Sequence, residues 1–148
     1  MSVDRVAFVC VGNAGRSQMA TAFAERERTE RGLDIDIVTG GTDPAEDIHE
    51  AVIDAMEERN IDISDRTPRK IMPGDIEDAD YVVTMGCSVD EFRPPDWTGE
   101  SQHWNLEHPG GDDVDAARDQ RDEIKRRVTA FFDELEATET VDDHATEN

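Results

Sequence analysis

The chain has 148 residues and a formal net charge of −22 at pH 7, and its length predicts a single domain with a core of its own. Of its 15 basic residues only Lys70 and Lys125 are lysines, and we interpret this acidic, lysine-poor surface as halophilic. The same charge argues against nucleic acid as a partner, because phosphate backbones are bound by basic patches.

The predicted elements alternate between strands and helices along the chain. A β-branched and aromatic run predicts a first strand at 5–10, and a helix over 16–30 follows, with Ser17 as its cap and Gly32 at its end. A second strand is predicted within 34–42, a second helix at 47–60, a loop at 61–75, a third strand within 79–86 and a short fourth strand at 101–106.

The last predicted helix covers 112–135, where apolar residues recur at steps of three and four. Residues 1–137 therefore read as one domain, and residues 138–148 as a frayed acidic tail. The order of elements implies an α/β fold of three layers, in which an open, mostly parallel four-stranded sheet has helices on both faces. In this architecture ligands bind at the carboxyl ends of the strands.

Features that are missing from the sequence indicate which partners and which compartment to expect for the protein. It contains no window of about 18 apolar residues, so we expect no membrane span, and the first residues do not have the pattern of a secretory signal. Two cysteines, Cys10 and Cys87, cannot build a disulfide framework, which favours a reducing cytoplasm. No two His or Cys have the spacing of metal ligands, so we expect no bound metal.

The stretch "FVCVGNAGRSQMA" connects the first strand to the first helix. Gly12 and Gly15 allow unusual backbone dihedral angles, so that successive N–H groups of Val11, Gly12, Asn13, Ala14 and Gly15 can form an anion-binding nest. Arg16 would hold two oxygens of the anion, and the same positive field favours the thiolate of Cys10.

Two more residues of this stretch have predicted roles. Asn13 would brace the loop with its amide, and Ser17 would donate a hydrogen bond to the thiolate. Taken singly, Cys10, Arg16 and Ser17 have ordinary explanations as a buried thiol, an ion-pair partner and a helix cap. Their order at one strand–helix junction favours an oxyanion site.

The loop sequence "VCVGNAGRSQMATAF" resembles the signature C-x5-R-S of the low-molecular-weight protein tyrosine phosphatases and of the related thioredoxin-coupled arsenate reductases. The resemblance extends from Val6 to Leu135, and "TGGTDPAEDIHEAVIDAMEERNIDIS" and "DYVVTMGCS" are similar to the reductase branch. It implies a phosphate-binding loop after the first strand, with Cys10 as nucleophile, Arg16 as oxyanion ligand, Ser17 as hydroxyl partner of the thiolate and Asn13 as the bracing residue.

The segment "WNLEHP" departs from the family pattern, in which an Asp before Pro is the general acid. His108 takes that position and Glu107 lies beside it. Histidine is a competent general acid near neutral pH, so His108 is the candidate acid, with Glu107 or a merely exposed histidine as the alternatives.

Cys87 falls at the position of the second of three cysteines in the thioredoxin-coupled reductases, but the residues that follow, "SVDEFRP", contain no third one. Cys87 is therefore either a resolving thiol that attacks Cys10 or an inert, partly buried thiol.

Three functions remain open from the sequence. The first is an arsenate reductase that needs an external thiol, either a thioredoxin-like protein or a small thiol, and no bound cofactor. The second is a phosphomonoesterase that acts through a phosphocysteine, although Gly110 and Gly111 stand where phosphotyrosine-specific members carry aromatic residues. The third is a non-catalytic phosphate-binding regulator. We expect the first, with arsenate, phosphate or a phosphoester as ligand.

Overall fold

The structure of the protein is a computed structural model. It describes residues 4–106 and 113–147, and side chains as far as Glu136. Its four strands lie in the order β2-β1-β3-β4, and all three pairings are parallel. The strands are β1 (Arg5–Cys10), β2 (Asp36–Gly41), β3 (Tyr81–Met85) and β4 (Glu100–His103). The predicted open, parallel four-stranded sheet is confirmed.

Helices cover both faces of this sheet, as predicted. They are α1 (Arg16–Arg31), α2 (Glu50–Glu57), α3 (Pro73–Ile76) and α4 (Val114–Glu147). Side chains alternate between the faces of a strand, so Val6 and Phe8 pack with α1, α2 and α4 on one face. Ala7 and Val9 pack on the other face, in a cluster that includes Ile76 of α3. No helix among the described residues has both the length and the apolarity needed to cross a membrane.

Several elements differ from the predictions. The short helix α3 lies partly inside the predicted loop at 61–75, and β4 covers Glu100–His103 instead of 101–106. Helix α1 begins at Arg16 with Gly15 as its N-cap, so the prediction that Ser17 caps the helix is wrong and its hydroxyl serves another purpose. Helix α2 is shorter than the predicted 47–60, because His49 is extended and Asn60 has a left-handed φ of 62°. Helix α4 continues to Glu147, past the predicted end at 135, and the sequence after Gly111 contains no Gly or Pro to stop it.

The carboxyl ends of three strands meet at one edge of the sheet. Cys10, the last residue of β1, is in register with Gly41 on β2 and with Met85 on β3. Helix α1 begins six residues after Cys10, at the same edge. Residues that follow β1, β2 and β3 are therefore brought together where ligands bind in open parallel sheets.

Candidate active site

The thiol of Cys10 is buried, with 2% of the residue exposed. Its Sγ atom lies 2.9 Å from Oγ of Ser17 and 3.1 Å from the backbone nitrogen of Asn13. A backbone N–H can only donate, so it stabilises a negatively charged sulfur better than a neutral one. The predicted proximity of Ser17 to the thiol is confirmed.

The hydroxyl of Ser17 is oriented by the side chain of Asn13. Nδ2 of Asn13 donates to Ser17 Oγ at 2.7 Å and to Thr39 Oγ1 at 3.0 Å. Since the amide nitrogen is a donor only, Ser17 Oγ accepts this bond and keeps its own proton for the Cys10 sulfur. Ser17 lies inside α1, and its hydroxyl faces the Cys10 sulfur rather than the end of the helix.

Asn13 also closes the loop through its carbonyl side. Its Oδ1 accepts from Gln18 Nε2 at 3.1 Å and from the backbone nitrogen of Arg69 at 3.0 Å. Asn13 is fully buried and has a φ of 52°. The amide of Asn13 braces the loop as predicted, and Gly15 has the unusual dihedral angles predicted for it, with φ −148° and ψ −85°.

The carbonyl groups of the loop point away from its interior. Four of them accept hydrogen bonds of 2.9–3.1 Å from the segment 42–49, which we call the clamp segment. The bonds join Thr42 N to Cys10 O, Asp43 N to Val11 O, Ala45 N to Gly12 O and His49 N to Ala14 O. In a trans peptide the N–H of the next residue points the opposite way, so the N–H groups that follow these carbonyls are directed into the loop.

Gly41, at the end of β2, allows the loop to pack closely on the sheet. A Cβ atom at this position would lie 2.4 Å from the carbonyl oxygen of Val11 and 3.0 Å from the nitrogen of Asn13. Real Cβ atoms do not approach backbone so closely, so any other residue here would push the loop out of place. The "TGG" that ends β2 therefore helps to shape the loop after β1.

The guanidinium of Arg16 lies between Gly86 and the segment after β4. Only 5% of Arg16 is exposed, and its Nη1 donates to the carbonyl oxygen of Leu106 at 3.1 Å. Leu106 follows the end of β4 at His103 and directly precedes the candidate acids. Those residues, Glu107 and His108, lie outside the described part of the chain.

Cys87 follows β3 at the same edge of the sheet as Cys10. Its Sγ lies 3.8 Å from the carbonyl oxygen of Val9, the residue before Cys10, and both cysteines are free thiols. Burial, and next the negative charge of Cys10, raise the pKa of the Cys87 thiol to about 11. The two thiols are therefore close enough to interact electrostatically, while Cys87 stays protonated at neutral pH.

Several residues of this arrangement had not been predicted from the sequence. They are Gln18, Thr39, Arg69, Gly86 and the clamp segment. The two glycines at the end of β2 and the one after β3 were the available signal, because a glycine at a strand end often marks a close backbone approach. Among the described residues, no cluster of His, Cys, Asp and Glu side chains is arranged to hold a metal ion.

A comparison of the sequence with models of known protein families agrees with the predicted resemblance. The profile of the family described as "Low molecular weight phosphotyrosine protein phosphatase" matches residues 5–141. The chain belongs to this family. The match includes every strand of the sheet, the Cys10 loop and Cys87.

Within the low molecular weight phosphatase family the chain is similar to proteins named as arsenate reductases. A Halobacterium salinarum protein with a provisional arsenate reductase name is 47% identical over 136 residues, which cover 90% of this chain and 94% of the relative. The glutaredoxin arsenate reductase of Synechocystis is 35% identical over 129 residues, which cover 85% and 94% of the two chains.

A solved structure gives the same likeness in three dimensions. The thioredoxin-dependent arsenate reductase of Corynebacterium glutamicum superposes with a TM-score of 0.72 at 29% identity. The superposition covers 93% of this chain and 64% of that one. The chain thus spans somewhat less than two thirds of that longer relative.

Proposed function

We propose that the protein is an arsenate reductase in which Cys10 is the nucleophile and Cys87 the resolving thiol. The observation that carries the proposal is the pair of free thiols at the carboxyl ends of two adjacent parallel strands. One sulfur receives hydrogen bonds inside an anion loop, and the other contacts the backbone just before it. A phosphatase needs only the first of them.

In the first step arsenate binds in the loop, held by the inward N–H groups and by Arg16. The Cys10 thiolate attacks arsenic, and an arsenate oxygen leaves as water after it is protonated. We propose His108, or Glu107 beside it, as the proton donor. Ser17 and the Asn13 N–H hold the thiolate before attack, because both bonds favour the charged sulfur.

In the second step Cys87 loses its proton and attacks the Cys10 sulfur. The S–S bond forms as the As–S bond breaks, and the electron pair of the broken bond stays on arsenic. Arsenic is thereby reduced from the +5 to the +3 state and leaves as arsenite, while the two thiols are oxidised to a disulfide. Formation of the Cys10 adduct alters the thiolate charge that helps to raise the Cys87 pKa.

An external thiol must then reduce the disulfide, because the sequence has no third cysteine to take it over. The names of two relatives specify glutaredoxin and thioredoxin as reductants. We infer that a protein of this kind or a small thiol serves here, and that the enzyme works in a reducing cytoplasm. The net charge of −22 supports a cytoplasm of high ionic strength.

A phosphomonoesterase is the second candidate, and the family description favours it. The same loop and Arg16 would bind a phosphoester, Cys10 would form a phosphocysteine, and water would hydrolyse it. Cys87 has no part in that cycle. A phosphate-binding regulator without turnover is the third candidate, supported only by the missing Asp of the acid segment.

The test is arsenite formation by the purified chain in high salt. Arsenate is supplied with thioredoxin and its reductase, with glutaredoxin and glutathione, or with a small thiol alone, and hydrolysis of an aryl phosphate is measured in parallel. Reductant-dependent arsenite formation at a rate above phosphate hydrolysis is expected. Phosphate hydrolysis without arsenite would replace the reductase with the phosphatase, and anion binding without either would leave the regulator.

A further inference from the structure

Gly86, the residue between β3 and Cys87, lies directly against the guanidinium of Arg16. A Cβ atom at Gly86 would be 2.6 Å from Nη1, 3.0 Å from Nη2 and 3.1 Å from Cζ of Arg16. The added Cβ would lie closer to the two nitrogens than to Cζ, so it would occupy the space next to the Nη1–Nη2 edge of the guanidinium. No residue with a side chain fits there while Arg16 keeps this position.

The backbone of Gly86 is also in the left-handed region, with a φ of 80°. Residues other than Gly adopt this region at a cost, and Asn is among the few that tolerate it. Gly86 thus meets two separate requirements, one of conformation and one of space. The two can be tested separately, because Asn satisfies the first and violates the second.

We propose that Gly86 is a positioning residue that sets the place of the Arg16 guanidinium for oxyanion binding. The absence of a side chain at Gly86 leaves room for the Nη1–Nη2 edge of the guanidinium, and Nη1 donates to the Leu106 carbonyl at 3.1 Å. A side chain at Gly86 displaces the guanidinium from the anion. The proposal rests on the role of Arg16 in the proposed function.

The hydrogen bonds that hold the nucleophile do not involve Gly86. The Cys10 sulfur is held by Ser17 Oγ and the Asn13 N–H, and Gly86 takes part in neither bond. The charge of Arg16 also favours the Cys10 thiolate, so a substitution at Gly86 should lower the reactivity of the thiol by a smaller factor than it weakens anion binding. If Gly86 had only a structural role, a substitution would change both by the same factor or change neither.

The experiment compares Gly86→Ala and Gly86→Asn with Gly32→Ala, all in the full chain and in a Cys87→Ser background, so that Cys10 is the only thiol. Gly32 has a similar φ of 65°, and no described atom beyond its neighbours lies within 4 Å of the added Cβ. It therefore reports the conformational cost alone. Calorimetry gives the dissociation constant of inorganic phosphate, and iodoacetamide gives the alkylation rate of Cys10 without anion.

Both Gly86 variants should bind phosphate about tenfold more weakly or worse, since hydrogen bonds to a charged group are each worth about that much. Their Cys10 alkylation rates should fall by a clearly smaller factor than their phosphate affinity, and Gly32→Ala should match the parent in both measurements. Gly86→Asn is expected to fold even where Gly86→Ala is destabilised.

Parent-like phosphate affinity in Gly86→Asn would overturn the proposal, because conformation alone would then explain the glycine. A loss of alkylation rate as large as the loss of phosphate affinity would overturn it too, by indicating a general disturbance of the loop. If the Gly86 variants lose phosphate affinity but the parent chain with Cys87 restored makes no arsenite, the proposed function fails and Gly86 keeps its role. A parent that binds no phosphate would contradict both.

Discussion

The two cysteines lie at the same edge of the sheet but in different chemical environments. Cys10 ends β1, and the Asn13 N–H and the Ser17 hydroxyl lie within hydrogen-bond distance of its sulfur. Cys87 follows β3, where its sulfur contacts the carbonyl of Val9 and burial raises its pKa to about 11. The hydrogen bonds at Cys10 favour a charged sulfur and the surroundings of Cys87 favour a neutral one, which matches the order in which the proposed mechanism uses them.

The largest effect is expected from Cys10→Ser. A serine hydroxyl is a far weaker nucleophile than a thiolate, so arsenite formation and aryl phosphate hydrolysis should both fall by roughly 10³-fold or more. Phosphate binding should persist, because the loop N–H groups and Arg16 are intact. Calorimetry with phosphate and the two activity assays test this. Activity near the wild-type level would remove Cys10 from the mechanism.

Cys87→Ser should separate the two activities. Multiple-turnover arsenate reduction with thioredoxin is expected to stop, since no thiol remains to release arsenite and form the disulfide. Hydrolysis of an aryl phosphate should continue close to the wild-type rate, because it requires Cys10, Arg16 and the acid. Equal loss in both assays would point to a structural role for Cys87 and not to a redox one.

The pH dependence of Cys87 tests the electrostatic link between the thiols. Its pKa is raised first by burial and then by the charge of Cys10, so Cys10→Ser should lower it without restoring the ordinary value. Ultraviolet titration of thiolate absorbance measures the Cys87 pKa in each protein. In the wild type the titration curve of Cys87→Ser is subtracted, and in Cys10→Ser the Cys87 thiol is observed directly. An unchanged pKa in Cys10→Ser would show that the sulfurs do not interact.

The same raised pKa has a consequence for stability. The folded state favours the neutral Cys87 thiol, so this contribution is fully present below the unfolded thiol pKa of about 8.5 and is lost as pH rises towards 11. As the pH rises, the melting temperature should therefore fall less steeply for Cys87→Ser than for the wild type. Parallel curves would argue against burial of the thiol.

Salt should have the smallest effect on the pKa of Cys87 but a clear effect on the melting temperature of the whole chain. A net charge of −22 destabilises the fold through repulsion at low ionic strength, whereas at 1 M salt the Debye length is about 3 Å. The melting temperature should rise from 0.1 M to molar KCl, while the Cys87 pKa moves little because the pair is partly buried. A flat or falling melting curve would contradict the halophilic interpretation.

The sequence was sufficient for the sheet and for the nucleophile loop because their determinants are local. The β-branched run up to Cys10, the loop residues Asn13 and Gly15, and the amphipathic pattern of α4 each lie within one stretch. Asn13 was assigned its bracing role correctly, although its partners Thr39 and Arg69 come from distant segments.

Contacts between distant segments were not predictable in the same way. The clamp segment contacts the loop, and Gly86 lies beside Arg16, because the parallel register places Gly41 and Met85 beside Cys10. The cap prediction for Ser17 failed for a local reason. A capping serine accepts a hydrogen bond from a backbone N–H, but here Ser17 Oγ accepts from Asn13 Nδ2 and faces the Cys10 sulfur.

The central claim is that the two thiols act in sequence on one substrate, and mass spectrometry after a single arsenate turnover tests it most directly. The fully reduced protein is mixed with arsenate without any other reductant, and remaining thiols are blocked before digestion. The account predicts a Cys10–Cys87 disulfide, formed in proportion to the arsenite released and absent when phosphate replaces arsenate. Arsenite released with both thiols still available for alkylation, or a Cys87→Ser variant that reduces arsenate as fast as the wild type, would contradict it.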